Sequence, residues 1–426
     1  MKLTVIDAML RALDHNLGVL TAEEAMGRAR GARWLALSQL LPNVNARVSE
    51  TRQKINLAAF GFGGPGGPSF PGVSDIVGPF TVFDARLYVS QSVFDLEAIN
   101  DVRSEGHALE ASRLMRQSAR DFVIHVAGVT YIQALAAMAR ADAARTQMET
   151  AETLHRQALD LKQSGIIAGI DVLRAQVQLI AQQQRSAAAA NDFEKQKLVL
   201  SRLIGLPIGQ AITLDPELPD LPASAATLDA AVDRAYTTRP DYLASLARVR
   251  AAEATRAGVV GSARPSVHVN ADVGQIGLGP NPADSKSTFA VSGAVNVPIF
   301  NGNKTHGRLL QADADVRARQ AEAEDLKASI YYELRGAFLD LDTTAQQLRV
   351  ARTARDLANE QLTQARDRFA AGVGSNIEVV QAQDAVAVAT EQFIAAEYGF
   401  DLAKGSVIRG TGISEMALRQ FTGGSR

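Results

Sequence analysis

The chain has 426 residues, a formal net charge of −2 and a pI near 6.3, so nothing in its bulk electrostatics suggests a grip on nucleic acid. Aromatic residues make up only 5% and cysteine is absent, so these residues form no disulfide framework or thiolate metal site and hold no acylated cysteine. Alanine, glutamine, arginine, leucine and aspartate dominate long stretches, the composition of long helices rather than of compact sandwiches.

The opening "MKLTVIDAMLRALDHN" already has the pattern of an amphipathic helix. It lacks a charged start followed by an apolar secretory core, so a signal peptide is expected to have been removed or to lie upstream. A helix of moderate length follows, near 18–40, and then a hairpin near 42–94 built from alternating segments. The first, from Val44, alternates and becomes charged beyond Ser49. The second, "TVFDARLYVSQSVF", puts Phe83, Ala85, Leu87, Val89 and Val93 on one face against Asp84, Arg86, Tyr88, Ser90 and Ser92. Between them lies "GFGGPGGPSFPGVSDIVGP", residues 61–79, which has no periodicity and reads as an exposed loop.

A very long helix is predicted over 95–164, roughly 100 Å at ~1.5 Å per residue. Its stretch "FVIHVAGVTYIQALAAMA", residues 122–139, carries no formal charge and mimics a membrane span. Its counterpart from residue 329 contains Glu333, Arg335 and Asp340, so both are expected to be the middle of a protein-packed helix. A sharp turn at Gly165 and a second helix over 170–204 complete a unit spanning 1–214.

The same order then recurs over 215–426: helices 228–262, a hairpin near 265–300, a long helix 303–371, a turn at Gly372 and a helix 376–410. Between 158–176 and 365–383 seven of nineteen positions are identical, among them Gly165/Gly372, Ile170/Ile377, Val172/Val379 and Gln176/Gln383. Arg11, Leu20 and Pro42 pair with Arg234, Leu243 and Pro265, and Phe94 with Phe300, so the first half carries its extra residues in the Gly/Pro-rich loop. In the second hairpin Val267, Val269, Ala271 and Val273 oppose His268, Asn270 and Asp272. Its return strand sets Phe289, Val291, Val295, Val297 and Ile299 against Thr288, Ser292 and Asn296. The helix after each turn is half as long as the long one, which leaves the remaining half to be covered by the short helix that precedes each hairpin.

Ten or so residues of period-two alternation suit a transmembrane β-strand. Two hairpins separated by such long helices are expected to find no sheet to join within the chain. Four strands cannot close a barrel, and lipid forbids open edges, so membrane entry requires oligomerisation. Two copies supply eight strands and three supply twelve.

The phrases "NVPIFNGNKTHGRL", "LKQSGIIAGIDVLRAQ" and "RFAAGVGSNIEVVQAQ", with the N-terminal "LTVIDAMLRALDHNLGVLTAEEA" and the ends at Gly205 and Gly412, resemble the TolC family of outer-membrane factors over essentially the whole chain. The resemblance implies a mainly α fold with membrane β-barrel strands: a homotrimer whose twelve-stranded barrel, in the outer membrane of a Gram-negative bacterium, continues into a twelve-helix periplasmic tunnel. It implies an exit duct for a tripartite efflux or type I secretion system, with a periplasmic adaptor, an inner-membrane pump and outer-membrane lipid as partners, and no cofactor or nucleic acid. Family tips carry Arg-Leu/Phe-x-x-Gly-x-x-Ser-x-x-Asp. The second tip matches at Arg368, Phe369, Gly372, Ser375 and Glu378. The first matches at Gly165 and Asp171, with Leu161 and Lys162 in place of the Arg-Leu pair and Ala168 in place of serine.

On that basis Gly165, Ala168, Arg368, Phe369, Gly372 and Ser375 are expected at the adaptor-docking tips. Asp171, Glu378, Gln381 and Asp384 are expected at the pore constriction, where ringed acids favour cations. Capping chemistry alone also accounts for an acid in the first turn after the reversal. Some members carry a second acid where this chain has Gln381, with Asp384 a further turn in, and an arginine where it has Gly374. These departures argue against a salt-bridged closed gate.

No enzyme pattern survives. The six histidines lack metal-ligand spacing, and "NGNKT" lacks the glycine directly before the lysine of a phosphate loop. The rival reading is a soluble coiled-coil scaffold, supported by the seam Val379, Ala382, Val386, Ala389, Phe393, Ala396 and Phe400.

Overall fold

Thr4 opens the first helix with a reciprocal cap: its hydroxyl accepts from the Asp7 amide while the Asp7 carboxylate accepts from the Thr4 amide. The computed structural model describes residues 1–60, 62, 74–219, 227–281, 283–371 and 373–421. In chain order these form β1 (Lys2–Leu3), α1 (Val5–His15), α2 (Leu17–Ser38), β2 (Asn43–Asn56), a 3-10 turn (Leu57–Phe60), β3 (Ile76–Phe94), α3 (Leu96–Gln163) and α4 (Gly169–Leu203). The second half follows as β4 (Thr213–Leu214), α5 (Leu228–Thr238), α6 (Pro240–Gly261), β5 (Ser266–Gly277), β6 (Ser285–Asn296), α7 (Lys304–Ala370), α8 (Asn376–Gly410) and α9 (Ser414–Phe421). Two compact units result, each drawing on both halves of the duplicated sequence. One comprises Met1–Met26, Ala111–Ser245 and Glu322–Arg426, the other Gly27–Glu110 and Leu246–Ala321.

The second unit holds a four-stranded antiparallel sheet in the order β2-β3-β5-β6. This corrects the expectation that the two hairpins find no common sheet: β3 and β5 pair from Phe83↔Gly277 to Phe94↔Val267. The reason lies in α6. It packs along the start of α3, where the Ser104 hydroxyl donates to the Ala251 carbonyl (3.0 Å) and Arg250 pairs with Glu110 (3.1 Å). At Gly261 any Cβ would stand 2.8 Å from the Leu96 carbonyl carbon, so only glycine allows this approach. The chain thus re-enters the sheet beside the place where it left.

Register separates the faces. Val44, Val89, Ala271 and Val291 form one cross-strand row, and Ala46, Leu87, Val273 and Phe289 the next, all on one side. On the other side Arg86 donates to Asp84 (2.8 Å) and Asp272 (3.1 Å). Gly274 lies opposite Arg86, and a Cβ there would come within 2.5 Å of the Arg86 side chain. The apolar rows are bare, with Val291 71% and Phe289 80% exposed. An apolar sheet face of this size left open needs a partner phase.

Two strand limits differ from expectation. β3 begins at Ile76, inside the segment read as loop, because pairing with β2 through Val77↔Ile55 and Phe80↔Gln53 outweighs the local Gly-Pro signal. Pro79 is tolerated there because β3 has no β5 partner before Phe83. The rest of that segment, apart from Phe62 and residues 74–75, lies outside the described residues. β6 ends at Asn296, two residues before Pro298, leaving Ile299 and Phe300 outside the strand and exposed.

In the first unit the uncharged stretch of α3 is core. Val123, Ile124, Ala127, Tyr131, Ala134 and Leu135 pack with Leu3, Val5, Ala8 and Ala12 from the N-terminus and with Leu200, Ile204 and Leu418. Among the described residues α3 alone is long and apolar enough to cross a membrane, and 61% of that window is buried within the chain. Tyr131 fastens the β1–β4 pair: its hydroxyl lies 2.7 Å from the Leu3 carbonyl and 2.8 Å from the Asp215 carbonyl, sharing its one proton between them, and accepts from the Asp215 amide. That pairing and α9 were not anticipated, since two-residue strands and an eight-residue helix carry too little periodicity to read. Lower down, Ala136, Ala351 and Ala396 let α3, α7 and α8 approach around Phe393 and Ile394; Phe393 and Ala396 belong to the expected α8 seam, Ile394 does not.

Helix α9 is held to α3 by a fork from Arg120 to Glu415 (3.2 and 3.1 Å) and by Asp121, whose Oδ1 accepts from the Glu415 amide (2.9 Å). The second oxygen of Asp121 is buried without a partner. Burial, with repulsion from Glu415 and Asp241, pushes this carboxyl up to about 6, against the Glu415 amide and Arg120. A carboxyl whose folded pKa exceeds its unfolded value stabilises the fold at low pH and loses that contribution as pH rises from about 4 through 6. Asp121→Asn keeps the Oδ1 acceptor and removes the charge. The variant is expected to melt a few degrees above wild type at pH 7.5, with the gap narrowing as pH falls and closing below about pH 4; parallel pH profiles of the two would refute this account.

Candidate functional site at the helix reversals

Both reversals lie in the first unit, where α3 turns into α4 and α7 into α8. At the first, Gly165 adopts φ +76°, and the Gly165 and Ile166 amides close onto the Lys162 and Leu161 carbonyls (3.0 and 2.9 Å). That is glycine-terminated helix chemistry, and nothing lies within 4 Å of where a Cβ would stand. Ala168 caps α4 without a side-chain bond, as the replacement of serine implies. Asp171 follows in the first turn, paired with Arg174 (3.1 Å).

At the second reversal Gly372 lies outside the described residues. The amides of Val373 and Gly374 both donate to the Arg368 carbonyl (3.0 Å each), and a Cβ at 374 would meet the Arg368 and Phe369 backbone at 3.0 Å. A side chain at 374 is accommodated only if that backbone gives by a few tenths of an ångström. Ser375 caps α8, its hydroxyl accepting from the Glu378 amide (3.4 Å). The Glu378 carboxylate is 3.8 Å from Arg368 and half exposed.

The two tips are tied together. Asn376, buried, donates from its side chain to the Asp171 carbonyl (2.7 Å). Phe369 is only 6% exposed and packs with Leu154, Leu362, Ala365, Val379 and Ala382. It therefore stiffens the tip from inside and offers little surface to a partner. Asp384 accepts from Gln178 (3.0 Å) and lies 3.9 Å from Arg185, linking α8 to α4. So a charged link does join the hairpins, one turn deeper than the position where the sequence lacks an acid. Gln381 is exposed beside it with no such bond among those described.

Sequence reasoning missed the apolar rim. Ile166, Ile170, Leu173, Val373 and Ile377 are all exposed around the reversals. Their signal was available: none falls on the buried seam of Val172, Ala175, Val379 and Ala382, so aliphatic residues there had no core to serve. The site therefore offers acids in the first helical turns, an arginine and an apolar collar on two hairpins tied together by Asn376 and Asp384.

With this geometry in view, the comparisons are consistent. The family profile described as "Outer membrane efflux protein" matches residues 9–206 and 219–409. The pyoverdine export outer membrane protein OpmQ of Pseudomonas putida is 25% identical over 398 residues, covering 89% of this chain and 78% of that one. The alkaline protease secretion protein AprF of Pseudomonas aeruginosa is 25% identical over 336 residues, covering 74% of this chain and 66% of that one. The crystal structure of the Campylobacter jejuni CmeC outer membrane channel matches the fold with a TM-score of 0.79 at 18% identity, covering 96% of this chain and 85% of the other.

Proposed function

Because the chain belongs to the outer membrane efflux protein family, we propose that it is the outer-membrane exit duct of a tripartite export system, acting as a trimer and conducting substrate passively. One observation carries this reading: a four-stranded sheet with one polar face, one bare apolar face and two unpaired edges, on β2 and β6. Such edges are untenable in lipid unless neighbouring copies pair with them, and three copies supply twelve strands. In the assembled barrel Phe83, Leu87, Val291 and Val295 face lipid, while Asp84, Arg86, Asn270 and Asn296 face water. The soluble-scaffold reading leaves the same apolar rows without a partner phase.

The tips are the periplasmic mouth. Three chains bring six reversals together, with Asp171 and Glu378 the acids nearest the opening. Arg368 offsets part of the Glu378 charge, and the Asp384 link to Gln178 and Arg185 resists separation of the two hairpins. The collar of Ile166, Ile170, Leu173, Val373 and Ile377 is the apolar surface onto which a periplasmic adaptor seats, with Gly165, Ala168 and Ser375 shaping the turns that present it. The two relatives above are named for pyoverdine export and for alkaline protease secretion, cargoes of very different size. A duct whose selectivity is left to the pump accommodates both.

Assembly provides the direct test. Extracted in detergent, the protein is expected to run as a trimer by light scattering or native mass measurement, with its full β content. A stable monomer that keeps its β signal would exclude the duct; a dimer would keep the barrel and exclude the threefold tunnel.

A further inference from the structure

Beneath the C-terminal helix lies a cavity of about 90 Å³ that the transport reading does not use. Aliphatic groups from four helices line it: Val5 and Met9 on α1, Ile124 on α3, Leu402 and Ile408 on α8, and Leu418 on α9. By this measure a single water needs roughly 10–15 Å³, so the space holds several waters or a short run of carbon atoms. Its floor is Gly128, where a Cβ would come within 2.7 Å of the Met9 methyl. Met9 thus packs directly on the bare backbone of Gly128, and both line the cavity.

The groups at its edge select against charge. Asp401 and Lys404 line it but are paired with each other (3.3 Å), and Lys404 also lies over the Phe400 ring. His125, the remaining titratable group on the lining, has its pKa lowered by burial and then by the charge of Arg409, against Glu333 and the Gly405 backbone. An ionic ligand would enter without an unpaired counter-charge, whereas a neutral apolar one loses nothing polar on entry.

We propose that this cavity binds a small neutral apolar molecule, of the size of a single aromatic ring or a short alkane, and that binding tightens the docking of α9. The second half follows from the walls. Ser414, Ala417 and Leu418 of α9 form one side, so a ligand that fills the cavity contacts α9 only when that helix is docked. The helix is short, and among its described contacts are Leu418 in the core, the Arg120–Glu415 fork and the Asp121 cap. A ligand that binds only the docked form stabilises it by mass action whether or not the chain conducts substrate.

The probe is fluorobenzene, added to the detergent-solubilised full-length protein, with amide hydrogen exchange of residues 414–421 as the readout. At ten times the dissociation constant, exchange through undocking of α9 is expected to slow about tenfold. A saturable ¹⁹F signal, distinct from partition into micelles, should accompany it. Two variants fill the cavity independently. Gly128→Ala forces the Met9 methyl, part of the cavity wall, to shift, and Ala417→Leu adds bulk from α9 itself. In both, fluorobenzene should leave the exchange of α9 unchanged. No slowing in wild type overturns the proposal, and so does equal slowing in wild type and in either folded variant, since that would report a micelle effect.

Discussion

Val291→Arg is expected to abolish assembly in the outer membrane. Val291 sits in β6 in the bare row with Val44, Val89 and Ala271, next to the row of Phe289, Val273, Leu87 and Ala46. An arginine at the lipid-facing midplane of a barrel costs about 2–4 kcal/mol, so three copies carry roughly 6–12 kcal/mol, comparable to the whole stability of a typical domain. The neighbouring change Ser292→Arg places the same charge on the opposite face, in the row of Asn270, Ser90 and Asn43, and should be accepted in water. Membrane fractionation and trimer yield for the two variants decide the matter. Equal yields would mean that the apolar rows do not face lipid, and the register-based assignment of faces would fail with them.

The second large effect is expected at the tips. A Gly165→Val, Gly374→Val double variant should lose export while keeping its trimer. Valine at φ +76° pays for a left-handed backbone, a cost on the order of 1–2 kcal/mol or more for a β-branched side chain. At 374 its Cβ would press on the Arg368 and Phe369 backbone at 3.0 Å. Relief of either strain tilts the turns that carry Ile166, Ile170, Val373 and Ile377, and so disperses the collar. Gly165→Asn supplies the control, because asparagine tolerates the left-handed region and should retain export. If the double valine variant exports as well as wild type, with its adaptor still captured on crosslinking, the reversals are not the docking surface.

How far each feature could be read in advance depended on whether its cause was local. The seventy-residue helices announced themselves through composition and uninterrupted pattern; the end of α3 was marked by Gly165 and the ends of α4 and α8 by Gly205 and Gly412, all of which take positive φ. The faces of β3, β5 and β6 followed from alternation, since side-chain direction in a strand has period two whatever the partner. The acids at 171 and 378 were placed in first turns by their distance from the reversal, and the structure puts them there.

What only the tertiary structure decided involves pairing between distant segments. Nothing near Phe83 or Val267 announces that β3 and β5 are neighbours; that came from α6 lying against α3 through Gly258 and Gly261. Nor does the tip motif reveal that Phe369 is buried while Ile166 and Val373 are bare, because a conformation-specific turn, and not periodicity, sets exposure there. Asp384 illustrates the same limit. Its sequence position suggested a place at the constriction; its bonds to Gln178 and Arg185 could not be read there, because they depend on the spacing of two helices whose sequences lie some two hundred residues apart. The sequence by itself determined the elements, their faces and the duplicated plan, since local backbone preference and side-chain period suffice for these. Which strands share a sheet, which tip residues are core and which charges are neutralised were settled by packing, because each is a property of two segments at once.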